Sequence, residues 1–228
     1  MTKWSKAELP SRSEQRFAKK SALIREAAHA FRTKGFYATS MEDIATALGV
    51  TKGALYRYVE NKQEILFECF KSSNQLGEAA LELARWHSGT GLEKLRTFVE
   101  FFVEKYIEEN TAGGAMVDIG ALFPEQRAEI IAGRDRVDAG LRTIVSHGVE
   151  DGSIVSRDVK LTVFTIMGSI NWIPSWYSPG GQHGPKEIAG IIADIFSGGL
   201  QPRQDSQQAI AVSAAVPGAS RRRKSVAP

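Results

Sequence analysis

The chain predicts an all-α fold, and three observations lead to it. Apolar residues recur three and four apart through most of its 228 residues, and no stretch alternates with period two. Clusters of Pro and Gly mark joints between these segments. Pairs of residues spaced as helix caps stand at several of the joints.

The first helix is expected over about 13–34. Ala22, Leu23, Ala27, Ala30 and Phe31 give it one apolar stripe, and Gly35 is its stop. Thr39 and Glu42 are spaced as a capping box, so a second helix opens there, reads Met41 to Leu48 and ends at Gly49. Thr51 can cap a short third helix from Lys52 to about Tyr58. Asn61 and Glu64 form a further capping pair, opening a long fourth helix to Trp86. Thr90 and Glu93 start a fifth, through about Glu109. A short apolar helix is expected around 116–123. Pro124 suits the first turn of the next helix, over 125–150, because N–H groups there have no intrahelical partner to lose. Asp151-Gly152 end it. Two last helices, about 157–177 and 185–198, bring the total to about nine, with the loop Ser178 to Gly184 between them. After Gly199 the chain turns to Gln, Ser, Ala and Pro, too little apolar content to pack.

Charge divides the chain as well. Residues 1–62 carry 12 Lys/Arg against 6 Asp/Glu, residues 63–200 carry 12 against 19, and residues 201–228 carry 5 against 1. A basic N-terminal module on an acidic body draws a polyanion to the module. The division expected is a basic arm over 1–12, a helix-turn-helix unit over 13–60, a helical body over 61–200 and a disordered tail over 201–228. Arg221-Arg222-Arg223-Lys224 in that tail can add salt-sensitive affinity for DNA.

Other classes of function lack their residues. Cys69 is the one cysteine, so it forms neither an internal disulfide nor a metal cluster, and on an apolar helix face it reads as inert core. His29, His87, His147 and His183 have no metal-ligand spacing, and no Ser/His/Asp or Cys/His arrangement is present. Neither an enzyme nor a cofactor is expected. No apolar run reaches the roughly 18 residues of a membrane span, and no apolar leader precedes Pro10. No membrane partner is expected, and the cytoplasm is the expected compartment.

The stretch from Ile44 to Gly53 carries the function. Two short helices joined through Gly49, with Ala45 small at their crossing, have the makings of a helix-turn-helix. Ile44, Leu48, Val50 and Leu55 are spaced to pack the pair onto the first helix. Thr51, Lys52, Gly53, Tyr56 and Arg57 are left for a major groove. Lys52 and Arg57 can reach phosphates or base edges, Gly53 lets backbone approach, and Tyr56 can bond a phosphate or lie on a thymine methyl. Lys62, opening the fourth helix, is expected on a phosphate across the groove.

The residues Gly35-Phe36-Tyr37-Ala38-Thr39-Ser40-Met41-Glu42-Asp43-Ile44-Ala45 and Gly49-Val50-Thr51-Lys52-Gly53-Ala54-Leu55-Tyr56-Arg57-Tyr58-Val59-Glu60-Asn61-Lys62 resemble the DNA-binding region of the TetR family, over about Arg16 to Phe67. Val59 departs from it, standing where the family usually has an aromatic. The resemblance implies about nine helices, the first three binding DNA and the body forming a dimer with a small-molecule pocket. It implies a regulator, with Thr39, Thr51, Lys52, Gly53, Leu55, Tyr56, Arg57 and Lys62 as DNA-binding residues. It further implies a repressor that leaves a palindromic operator when ligand binds, although these residues leave repressor and activator both open. The apolar last two helices could form half of an intermolecular four-helix bundle. Phe98, Phe101, Phe102, Met116, Phe123, Met167, Trp172 and Trp176 are candidates for lining the pocket. The segment Asn171 to Gly181 is similar to family members that control lipid, steroid or acyl-CoA breakdown, which implies a hydrophobic or acyl-CoA-type effector.

Overall fold

The computed structural model describes residues 11–109 and 119–202. Residues 1–10 of the expected arm, residues 203–228 of the expected tail, and Met116 lie outside them. The chain runs α1 (Arg12–Lys34), α2 (Met41–Ala47), α3 (Lys52–Leu55), α4 (Lys62–Trp86), α5 (Gly91–Glu108), a 3-10 turn (Ile119–Ala121), α6 (Pro124–Glu150), α7 (Val159–Trp176) and α8 (Pro185–Leu200). Among the described residues there are thus eight α-helices against about nine expected. The short apolar helix expected over 116–123 reduces there to the 3-10 turn. None of these helices is long and apolar enough to cross a membrane.

Side-chain caps set most of the boundaries. At α1 the Ser11 hydroxyl accepts from the Glu14 N–H at 3.2 Å, and the Glu14 carboxylate accepts from the Ser11 N–H at 2.6 Å. This box lies just ahead of the predicted start. The α2 box is made by Ser40 and Asp43, one residue beyond the expected Thr39 and Glu42. Thr39 is otherwise engaged: its hydroxyl is buried and donates to the Gly35 carbonyl at 2.7 Å. Asn61 caps α4 as expected, accepting from Glu64 N–H at 2.8 Å, but the Glu64 carboxylate reaches one residue further back, to the Glu60 N–H. Between α2 and α3 the turn requires Gly49, whose φ of 64° lies in the left-handed region.

Two hydrophobic cores form, and α4 belongs to both. Its first half gives Ile65, Leu66, Cys69 and Phe70 to a core with Leu23, Ala27 and Phe31 of α1, Ile44 and Ala45 of α2, and Leu55. Val59 is buried in the same core. Its second half gives Leu76, Ala80, Leu81 and Ala84 to the core of the body. There α8 packs on α5, and α7 lies chiefly on α6. Along α5 the rings of Phe98, Phe102 and Tyr106 stack at successive spacings of 5.4 Å. Burial pushes the Cys69 thiol up to about 12, so it stays protonated and inert at neutral pH.

The last two helices present two faces. Val163, Ile166, Ile170 and Ile173 of α7 and Ile188 of α8 are buried inside the body. Leu161, Phe164, Trp172 and Trp176 of α7, with Ile191 and Ile195 of α8, are exposed.

Gly91 of α5 packs directly against the backbone of Gly148 of α6. A Cβ on Gly91 would stand 2.2 Å from the Gly148 nitrogen, and backbone there cannot give way cheaply. Overpacking of this kind costs about 1–3 kcal/mol or more. Gly91→Ala is therefore expected to lower unfolding stability by at least that much, read from the urea midpoint at unchanged m-value; a wild-type midpoint would refute the close packing.

Candidate nucleic-acid interface and body cavity

The head is held by polar ties between its short helices. Asp43 accepts from Ser40 within the α2 cap and pairs with Lys34, the last residue of α1, at 2.9 Å. The Lys34 ammonium and the Ser40 donors hold the Asp43 carboxyl well below the usual carboxylate range. The turn continues with the Val50 N–H donating to the Ala45 carbonyl at 3.0 Å. Thr51 then caps α3 by accepting from the Ala54 N–H at 3.3 Å.

This local order presents one surface. Thr51, Lys52, Gly53, Tyr56 and Arg57 are all exposed around α3. Nothing lies within 4 Å of where a Cβ on Gly53 would stand, so its backbone is open to close approach. Lys52 is ion-paired with Glu42 of α2, which raises the Lys52 pKa and lowers that of Glu42. An exposed pair of this kind contributes little to stability.

Three of the expected DNA-binding side chains lie elsewhere. Leu55 is buried in the head core, where its role is packing. Thr39 is buried and tied to carbonyls of the α1 end. Lys62 turns inward as well. Its ammonium donates to the carbonyls of Phe36 at 2.7 Å and Thr39 at 2.9 Å, and stands 4.5 Å from the centroid of the Phe36 ring. Burial lowers its pKa. Its charge thus ties the α1–α2 connection to the start of α4, and is turned away from the phosphate expected for it.

The surface also holds residues that the sequence reading passed over. Tyr37, just before α2, is 79% exposed and meets the Phe36 ring edge-on. Arg12, Arg16 and Lys19 of α1 share a shallow cleft with Arg57 and Tyr58. Their spacing of four and three along one helix was the available signal.

A second feature lies in the body, a cavity of about 280 Å³ between α4, α5, α6 and α7. Phe70 and Gly77 of α4, Phe102 of α5 and Val137 of α6 make a buried floor. Arg134, Phe164 and Asn171, all exposed, stand at its mouth. Of the residues expected to line a pocket, Phe102 and Met167 do so here. Phe98 is buried beside Phe102 in the core. Phe101 faces a separate groove between α1, α4 and α5. Phe123 is exposed at the head of α6, Trp172 lies on the outer face of α7, and Trp176 lines a separate open groove with Ile188 and Ile191 of α8. Helical spacing alone had not told which side of each helix faces inward.

Comparison with known proteins bears on both features. The family of bacterial regulatory proteins named for tetR matches residues 17–69, and the tetracyclin repressor-like C-terminal domain matches residues 88–200. The transcriptional repressor KstR2 of Mycolicibacterium smegmatis is 25% identical over 206 residues, covering 88% of this chain and 99% of that one. The crystal structure of the TetR family regulator PfmR from Thermus thermophilus superposes with a TM-score of 0.69 at 35% identity, covering 79% of this chain and 99% of its own. AibR, solved in complex with isovaleryl coenzyme A and operator DNA, shares the fold with a TM-score of 0.63 at 24% identity, over 78% of this chain and 97% of that one.

Replacing Lys62 by Ala removes its charge-assisted bonds to the Phe36, Tyr37 and Thr39 carbonyls at once. Lys62→Ala is expected to destabilise the protein by about 1–3 kcal/mol. The check is the thermal midpoint with no DNA present; a midpoint equal to wild type would mean that the inward ties carry no weight.

Proposed function

Because the chain belongs to the TetR family of bacterial transcriptional regulators, we propose that it is a dimeric repressor whose operator affinity falls when an apolar or acyl-CoA-type effector enters the body cavity. The observation that carries this reading is the sharing of α4. Phe70 belongs to the core behind the DNA-facing surface and also to the floor of the cavity. An occupant that presses on Phe70 and Gly77 presses on the support of the head.

At the head, the α3 surface enters a major groove with Thr51, Lys52, Gly53, Tyr56 and Arg57 turned to the DNA. Tyr37 and the Arg12–Arg16–Lys19 row contact flanking phosphates. Phosphate contacts set register, and base contacts from α3 give specificity. Thr39, Leu55 and Lys62 support this surface from behind. A DNA-binding regulator works beside the chromosome, so the cytoplasm is its compartment.

The dimer forms through the outer face of α7 and α8. Leu161, Trp172 and Trp176 of α7 and Ile191 and Ile195 of α8 are large apolar side chains left exposed, and a second copy covers them in a four-helix arrangement. Two heads then meet successive major grooves about 34–36 Å apart. Effector binding favours the arrangement in which that spacing is lost, a shift between two populations. The effector class is supported by the isovaleryl coenzyme A bound to the fold neighbour AibR.

The direct test is fluorescence anisotropy on the DNA upstream of the gene, at two salt concentrations and with decanoyl-CoA added. Salt-sensitive binding that weakens with the thioester is expected, and no binding to that DNA would sink the regulator reading. Tyr56→Ala is expected to weaken operator binding about tenfold or more with the circular dichroism spectrum unchanged. Ile195→Glu puts a charge into the proposed interface. It is expected to sediment as a folded monomer and to bind operator poorly; a dimer would move the interface elsewhere.

A further inference from the structure

An effector that is apolar throughout gives Arg134 nothing to do. Its guanidinium lies over the Phe70 ring, 5.0 Å from the centroid, on the wall of the cavity. It makes no hydrogen bond or ion pair with another described residue. Asp135 is next in sequence but neighbours on a helix do not face each other, and Asp138, one turn further along α6 and also in the lining, is engaged by Arg142 at 2.6 Å. Asn74, across the cavity on α4, donates to the Ile130 carbonyl at 3.0 Å and packs against Gly133, so it offers Arg134 no anion. The guanidinium is accessible, yet surrounded closely enough by protein for desolvation to lower its pKa. Arginine stays protonated under such a shift.

A second donor stands nearby. Tyr106 is on α5, one turn beyond Phe102, and its buried hydroxyl has no hydrogen-bond partner among the described residues. A buried hydroxyl without a partner costs stability unless something satisfies it.

Resting on the reading of this cavity as the effector site, we infer that Arg134 selects an amphipathic anion. The anionic group sits at the mouth on the guanidinium, and the apolar part lies on the floor of Phe70, Phe102 and Val137. Guanidinium groups bind carboxylate and phosphate with paired, charge-assisted hydrogen bonds, and stacking on Phe70 fixes the plane of the fork. The volume of about 280 Å³ lies at the lower edge of the roughly 300–1,000 Å³ of ligand sites. It holds an acyl chain or small ring system, and leaves any nucleotide outside. The anion is thus either the carboxylate of a free acid or a phosphate of its coenzyme A thioester.

The experiment uses the full chain and four probes: decanoic acid, decanoyl-CoA, decan-1-ol and coenzyme A alone. Thermal shift and calorimetric titration are run on wild type, Arg134→Gln and Arg134→Lys, with circular dichroism verifying that each variant is folded. Wild type is expected to bind the acid, the thioester or both at least tenfold more tightly than the alcohol. Preference for the acid identifies a carboxylate on Arg134, and preference for the thioester a phosphate. Arg134→Gln is expected to weaken the anionic probe about ten- to a hundredfold and to leave the alcohol unchanged, with Arg134→Lys between. Equal binding of alcohol and anions by wild type, undiminished anion binding by Arg134→Gln, or coenzyme A alone matching the thioester would each overturn the inference while leaving an effector cavity in place. If none of the four binds wild type, the effector reading falls and takes the inference with it.

Discussion

The structure depends on one helix serving two cores. α4 is 25 residues long, about 37 Å at the rise of an α-helix. Over its first two turns it buries Ile65, Leu66, Cys69 and Phe70 against α1 and α2; over its last three it buries Leu76, Ala80, Leu81 and Ala84 against the body. The head alone has two helices of seven and four residues, which are too short to hold their shape in water without a packed partner. α4 supplies that partner, and the body reaches back to help. Leu122 and Ile130 join the head core from beyond the 3-10 turn. Head and body are distinct by composition and continuous by packing.

Polar ties then decide how the head sits on this beam. Lys62 stands at the first turn of α4, where a helix dipole disfavours a cation. Its ammonium is instead stabilised by the Phe36 and Thr39 carbonyls of the loop that joins α1 to α2. The Thr39 hydroxyl closes the same connection onto the Gly35 carbonyl. Lys20 of α1 reaches Glu68 of α4 at 2.8 Å and Glu64 at 3.6 Å. None of these bonds is strong alone, but together they fix the angle between α1 and α4, and α3 follows because it packs on α2 and buries Leu55 in the core they share.

Much of this was legible in the sequence because it is local. Gly35 and Gly49 mark turns, Thr51, Asn61, Thr90 and Pro124 mark helix starts, and each boundary fell within a few residues of its signal. The TetR resemblance was carried by such a local stretch. What escaped depends on side chains meeting across the sequence. Thr39 and Lys62 are polar and looked available for DNA, yet they bond carbonyls of the α1 connection, up to 26 residues away for Lys62. Trp172 looked like a pocket wall by size, but α7 turns it outward; Trp176 lines a different groove, against Ile188 and Ile191 of α8, and Phe98 spends its ring on stacking. The importance of Arg134 was invisible, since a cation on an exposed helix position normally finds an acid one turn away. Here Asp138 is that acid, and Arg142 has taken it.

The same geometry shows why a small occupant could control a large partner. From Asn74, beside the cavity, to Lys62 at the head end of α4 is twelve residues, about 18 Å. A tilt of about 5° about the cavity end moves the head end by roughly 1.5 Å, comparable with the helix shifts seen in switching proteins. Hydrogen bonds to base edges tolerate only a few tenths of an ångström before they weaken. In the proposed dimer the displacement occurs in both subunits about one two-fold axis, so the change in head separation is doubled. The proposed transmission needs no flexible hinge: α4 is packed into both cores along its length, so under that proposal pressure at Phe70 is carried to the head as a movement of the whole helix.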